Sequence, residues 1–136
     1  MQQEINQRWR FNQSPQEVWE YLTKSDLLEQ WLAKTDFQPV VGHKFQFEGK
    51  QGSLIFCEVR EVEPYARLAY WWQTNSAKDG KPFNSKVVWI LVPKDNGTEL
   101  QLVHSAFTYL EDYTKHNNGW TVLGNRLKQL LSTIKI

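Results

Sequence analysis

Between Phe37 and Phe107 the apolar residues recur at every second position. Phe45 and Phe47 flank Gln46, and Ile55, Cys57 and Val59 alternate with Phe56, Glu58 and Arg60. Leu68, Tyr70 and Trp72 share a phase, as do Val87, Trp89 and Leu91, and then Leu100, Leu102, His104 and Ala106. Side chains on a strand alternate between its faces, so each run reads as a strand with one buried face. Glu63-Pro64-Tyr65 and Asp95-Asn96-Gly97 separate runs as tight turns. The spacing predicts an antiparallel meander of about six strands. Val62 follows Val59 at an odd step, which predicts a β-bulge near Arg60-Glu61. Thr74 to Asn84, with Gly80 and Pro82, reads as one loop.

Helical signals bracket the meander. A first strand, Glu4 to Phe11, places Trp9 and Phe11 on one face. Ser14-Pro15-Gln16-Glu17 then combines an N-cap, a first-turn proline and a capping-box glutamate. Val18, Trp19 and Leu22 form that helix's apolar stripe, and Leu27, Leu28, Trp31 and Leu32 line a second short helix capped by Ser25 or Asp26. At the far end Trp120, Leu123, Leu127, Leu130, Leu131 and Ile134 recur at helical spacing, which predicts a long helix from about Asn117 to Ile134. Gly124 lies on that stripe, where glycine costs about 1 kcal/mol relative to alanine. It reads either as a tolerated weak spot or as a point of close approach to the sheet or a ligand.

With 136 residues the chain makes one domain, expected to span 1–136. Sixteen Lys+Arg against fifteen Asp+Glu leave a formal charge of +1, too little to hold nucleic acid. Cys57 is the sole cysteine, so no intrachain disulfide forms and no cysteine cluster binds zinc. His43 and His116 read as surface residues, no histidine pair has metal-ligand spacing, and no metal or cofactor is expected. The polar start Met1-Gln2-Gln3-Glu4 carries no signal segment, and no run is long enough for a membrane span. A cytoplasmic protein is expected. The unusual number is nineteen aromatic residues, seven Trp, seven Phe and five Tyr, under a mean hydropathy of −0.60. The chain is polar outside and bulky inside.

Several motifs in order resemble one family. They are Ser14-Pro15-Gln16-Glu17-Val18-Trp19, Leu28-Glu29-Gln30-Trp31-Leu32, Val41-Gly42-His43-Lys44-Phe45 and Glu61-Val62-Glu63-Pro64. Leu68-Ala69-Tyr70-Trp71-Trp72, His104-Ser105-Ala106-Phe107 and Gly119-Trp120 complete the set. The chain resembles the START-related (SRPBCC), pollen-allergen-like helix-grip proteins, and within them the domain found at the C-terminus of the activator of Hsp90 ATPase. The resemblance implies an α+β fold: a curved antiparallel sheet of about six to seven strands wrapped on the long C-terminal helix, with two short helices after the first strand. The fold hosts many ligands and several chemistries. Hsp90 activation, as the resemblance suggests it, needs a preceding co-chaperone domain. The sequence begins shortly before the first helix, so Hsp90 is not expected as a partner.

The inward faces define the candidate site. Phe45, Phe47, Tyr70, Trp72 and Trp89 point from the sheet toward the helix residues Trp120, Leu123 and Leu127, with His104 as a polar anchor among them. Tyr70 and the indole groups would offer hydrogen-bonding tips to a small hydrophobic or amphipathic ligand lying between sheet and helix. An enzyme of the cyclase or hydrolase type would use His104 as its acid/base. Glu58, Glu61 and Glu63, interleaved with Arg60, read as a solvated face. Ala69, Trp71, Val88, Ile90, Val92 and Val103 fall on the opposite, outer face of adjacent strands. They form a candidate interface for a homodimer or a chaperone-like protein partner.

Overall fold

The computed structural model describes residues 3–49 and 52–133. Strand β1 (Gln3–Phe11) leads into α1 (Pro15–Thr23) and α2 (Ser25–Trp31). Then follow β2 (Lys34–Thr35), β3 (Lys44–Glu48), β4 (Leu54–Glu63), β5 (Arg67–Asn75), β6 (Pro82–Lys94), β7 (Gly97–Phe107) and the helix α3 (Leu110–Ser132). The seven strands form one curved antiparallel sheet in the order β1-β7-β6-β5-β4-β3-β2. This is the α+β helix-grip architecture. Among the described residues no helix is long and apolar enough to cross a membrane.

Local chemistry sets the corners. Ser14 caps α1: its hydroxyl accepts from the Glu17 backbone N–H at 3.2 Å, and the Glu17 carboxylate accepts from the Ser14 N–H at 3.1 Å. The β6–β7 hairpin turns on Asp95 (φ 49°) and Asn96 (φ 65°), both left-handed, as a two-residue hairpin turn requires. Gly97 stands just after the turn, opposite Lys94. A side chain at Gly97 would collide with the Phe11 backbone, so the glycine admits the end of β1. The bulge expected near Arg60-Glu61 is present, the β4–β5 register shifting between Val59 and Glu61.

Three boundaries differ from the pattern. The long loop is shorter, because β5 runs to Asn75 and β6 begins at Pro82. At the end of β7 the alternation breaks: Ala106 sits at φ 78°, the register against β1 slips there, and Phe107 rather than Ala106 is fully buried. Helix α3 begins at Leu110 rather than near Asn117. Its N-cap Tyr109 makes no side-chain cap bond. A tertiary clamp replaces the missing cap: the buried Asp112 carboxylate accepts from the Ser76 hydroxyl at 2.5 Å and the Ala77 N–H at 2.7 Å. Ile134 lies outside the described residues.

Gly124 is explained by close approach. It is buried where α3 crosses β1, and a Cβ there would overlap the Trp9 indole.

Candidate functional site

The concave face of the sheet and the inner stripe of α3 enclose the aromatic residues, and these touch one another. Phe45 lies against Phe47 at 5.4 Å and Tyr70 at 5.3 Å between ring centroids. Phe47 reaches Trp72 at 5.7 Å, Trp72 reaches Trp120 at 5.3 Å, and Trp120 meets Trp89 edge to face at 5.4 Å. Leu127 is buried on the same stripe, and Leu123 is half-buried against it. The structure thus brings the nine candidate lining residues into one cluster. It also fills the space between helix and sheet with their own side chains, so the open hollow expected there is occupied. The bulk needed to wall a ligand site is enough to pack it.

The polar tips are satisfied internally as well. Trp89 Nε1–H donates to the Tyr70 hydroxyl at 2.9 Å, and Trp31 Nε1–H to the Tyr21 carbonyl at 2.9 Å. His104 is fully buried on β7. Trp120 Nε1–H donates to its Nδ1 at 2.9 Å. An indole nitrogen can only donate, so His104 Nδ1 is unprotonated and the neutral ring carries its proton on Nε2. That proton goes to Ser85 Oγ at 2.7 Å, and the Ser85 hydroxyl donates in turn to the Trp72 carbonyl at 3.0 Å. The chain of donors from α3 through β7 and β6 to β5 is complete. Burial, and His116 beside it, hold the His104 pKa well below its ordinary value. With its lone pair taken by Trp120, His104 has none left to accept a substrate proton.

His116 is not the surface residue that the pattern implied. It sits half-buried on α3, one helical turn before Trp120, 5.3 Å from His104 and 5.0 Å from Phe107 between ring centroids. Trp72 Nε1–H donates to His116 Nε2 at 3.3 Å, so its proton is on Nδ1, which donates to the Asp112 carbonyl at 2.8 Å. Burial lowers its pKa too. Helical spacing would have revealed this residue: Tyr113, His116 and Trp120 continue the stripe backward once α3 starts at Leu110. Ser85 was missed for another reason. It is a small polar residue in phase with Val87, and phase shows which way it faces but not its partner.

This pair of neutral histidines makes stability depend on pH. Both folded-state pKa values lie below the ordinary 6.5. As pH falls below about 6.5 the unfolded chain takes up protons that the folded one refuses, and the fold loses up to about 1.4 kcal/mol per pH unit for each histidine. The loss ends at the folded-state pKa values, and stability is flat above about 7. Lys115 adds to the effect on His116, while the Asp112 carbonyl opposes it. Glu61, Glu99 and Glu111, whose pKa values are held below 4.5 chiefly by hydrogen bonds, act at lower pH. Urea midpoints between pH 7.5 and 5 should therefore fall, with a smaller slope in His116→Gln. Equal midpoints across that range would contradict the tautomer assignment.

The remaining candidates carry no reactive group. Cys57 is buried, and burial pushes its thiol far up. Among the described residues no cluster of His, Cys, Asp and Glu is arranged to hold a metal. Glu58 pairs with Arg60 at 3.3 Å, and Glu61 pairs with Arg67 at 2.7 Å and Lys86 at 3.8 Å. On the outer face the apolar row is split. Ala69, between Glu61 and Val88 in register, is fully buried, and Val88 is buried beside it. Ile90, Val92 and Val103 are half-buried, and Trp71 remains exposed.

One depression of about 220 Å³ opens where the β5–β6 loop meets the start of α3, lined by Pro82, Phe83, Thr108, Tyr109 and Asp112 among others. Phe83 is half-buried there, 6.0 Å from Phe107 and 6.3 Å from His116. Phe107 lies 4.6 Å from His104. A continuous path of ring contacts leads from this mouth to the centre of the cluster.

Comparison with known proteins agrees with this architecture. No curated protein matches the sequence. Protein MLL2253 from Mesorhizobium loti superposes with a TM-score of 0.89 at 29% identity, over 98% of this chain and 100% of that one. Protein BH1534 from Bacillus halodurans superposes with a TM-score of 0.77 at 27% identity, over 95% and 96%. The Aha1 dimer from Colwellia psychrerythraea, at 23% identity, shares the fold with a TM-score of 0.81 over 96% and 97%. The family model described as activator of Hsp90 ATPase homolog 1-like protein matches residues 12–132, and the chain belongs to that family.

Proposed function

We propose that the protein binds a small hydrophobic or amphipathic molecule between the sheet and α3, admitted at the depression beside Phe83 and Tyr109. The observation that carries this reading is the unbroken run of rings from that depression through Phe107 and His116 to His104, Trp72 and Trp120. A ligand enters by displacing rings rather than filling an empty hollow, which sets the energetics. The molecule replaces ring contacts that already exist, so its net gain is small and its affinity weak, about micromolar or poorer. Displaced indole N–H groups and neutral histidines need new partners, which favours a molecule with one or two acceptors. Binding is favoured over catalysis because the one buried candidate base has its lone pair occupied.

The test is tryptophan fluorescence during titration with 1-anilinonaphthalene-8-sulfonate, beside native mass spectrometry of the purified protein. Saturable quenching is expected, weakened about tenfold in Phe83→Arg, which blocks the mouth. The reading fails if quenching never saturates, nothing co-purifies, and Phe83→Arg behaves as the wild type does.

A further inference from the structure

We propose that the outer face of the sheet carries a docking site for a short acidic peptide segment with one apolar anchor residue, seated between Phe56 and Trp71. These rings stand on adjacent strands and remain 51% and 39% exposed, unusual for large apolar side chains in the middle of a sheet. In register Trp71 lies opposite Glu58, and Phe56 opposite Gln73. Around them is a depression of about 390 Å³, with room for a large side chain. It lies on the face away from α3, so it is separate from the aromatic interior.

Two further features show what would fit there. Gln73 and Asn84 stand opposite each other across β5 and β6, and both line the depression. Among the described residues neither side-chain amide has a hydrogen-bond partner. A free carboxamide offers both donors and an acceptor, the complement of a peptide backbone. The charge around the rings is uneven. Lys44, Arg60, Arg67 and Lys86 surround them, against two carboxylates, Glu58 and Glu61, both already paired with these cations. Among the described residues Lys44 has no carboxylate partner. An apolar anchor seated between aromatic walls, with acidic neighbours on a cationic rim, satisfies all three features together. A second copy of the chain satisfies them less well, because a two-fold contact would set the same excess of cations against itself.

The test is to titrate acetyl-Glu-Asp-Phe-Asp-Glu-amide into nitrogen-15-labelled protein and follow the Gln73 and Asn84 side-chain amides and the Trp71 indole. Saturable shifts of those signals are expected, with a dissociation constant below about 1 mM. Trp71→Glu and Lys44→Glu, both at exposed positions, should each weaken it about tenfold and leave the remaining spectrum intact. The proposal is overturned if those signals do not move, if a Lys-Lys-Phe-Lys-Lys peptide binds as well, or if they shift with protein concentration alone. That last result would give the face to a second copy.

Discussion

Replacing His104 with alanine is expected to destabilise the fold by about 4 kcal/mol. The ring is completely buried and joins three elements. Alanine leaves the Trp120 indole N–H without an acceptor and removes the donor to Ser85. A buried polar group that loses its partner costs roughly 1–3 kcal/mol. Ser85 keeps its bond to the Trp72 carbonyl, so the larger loss falls on Trp120. The cavity adds the rest, at about 24 cal/mol per Å³ of space that does not collapse. His104→Gln offers an acceptor and a donor on one planar group, so it should recover a substantial part of the loss. Urea unfolding of both variants measures this. If His104→Ala unfolds at the wild-type midpoint, the donor chain contributes nothing. If Gln and Ala are equally damaging, shape rather than hydrogen bonding governs the position.

The second large effect is expected at Gly124. In an exposed helix, glycine to alanine gains about 1 kcal/mol. Here the new methyl group would overlap the Trp9 indole. Trp9 cannot simply swing away, because its ring lies 6.3 Å from that of Trp89, inside the packed cluster. Overpacking of this kind typically costs 1–3 kcal/mol. Gly124→Ala should therefore lose about 2 kcal/mol net, and Gly124→Val more, since its second branch also crowds the helix. The decisive measurement is a double-mutant cycle with Trp9→Val. In that background Gly124→Ala should become neutral or stabilising, a coupling of about 2 kcal/mol. An unchanged cost in the absence of the indole would mean that contact with Trp9 is not why residue 124 is glycine.

Both predictions concern contacts that join α3 to the sheet, and this is where sequence reading and structure diverge most. The strands were legible because alternation is imposed locally: each backbone step turns the side chain over. Tyr70, Trp72 and Trp89 could be placed inward on that basis alone, and the Val59/Val62 phase break marked its bulge. At Ala106 the same logic failed. A left-handed residue flips the phase with no turn-type residue to announce it. The start of α3 was missed because its first turn is held by Asp112 bonding to Ser76 and Ala77, on a loop far away in the chain. His116 therefore seemed to lie in a loop when it belongs to the helix stripe.

The candidate site divides in the same way. Phase shows which face a residue takes, so it collected Phe45, Phe47, Tyr70, Trp72, Trp89 and His104 on one side. It carries no information on whether facing rings meet across the interior. That depends on the separation of α3 from the sheet, to which the glycine at 124 and the indole of Trp9 both contribute. The outer face shows the same limit. Trp71 and the aliphatic residues could be assigned outward, but the pairing of Glu61 with both Arg67 and Lys86 arises only when β4, β5 and β6 lie side by side.

By itself, then, the sequence determined the order of elements, the faces of the strands and the kind of fold, because capping, turn chemistry and alternation act within a few residues. Only the tertiary structure decided that the aromatic interior is packed rather than hollow, and that each of two histidines accepts an indole hydrogen bond. Those outcomes depend on distances between β1, β5, β6, β7 and α3, set by the meeting of side chains far apart in the chain.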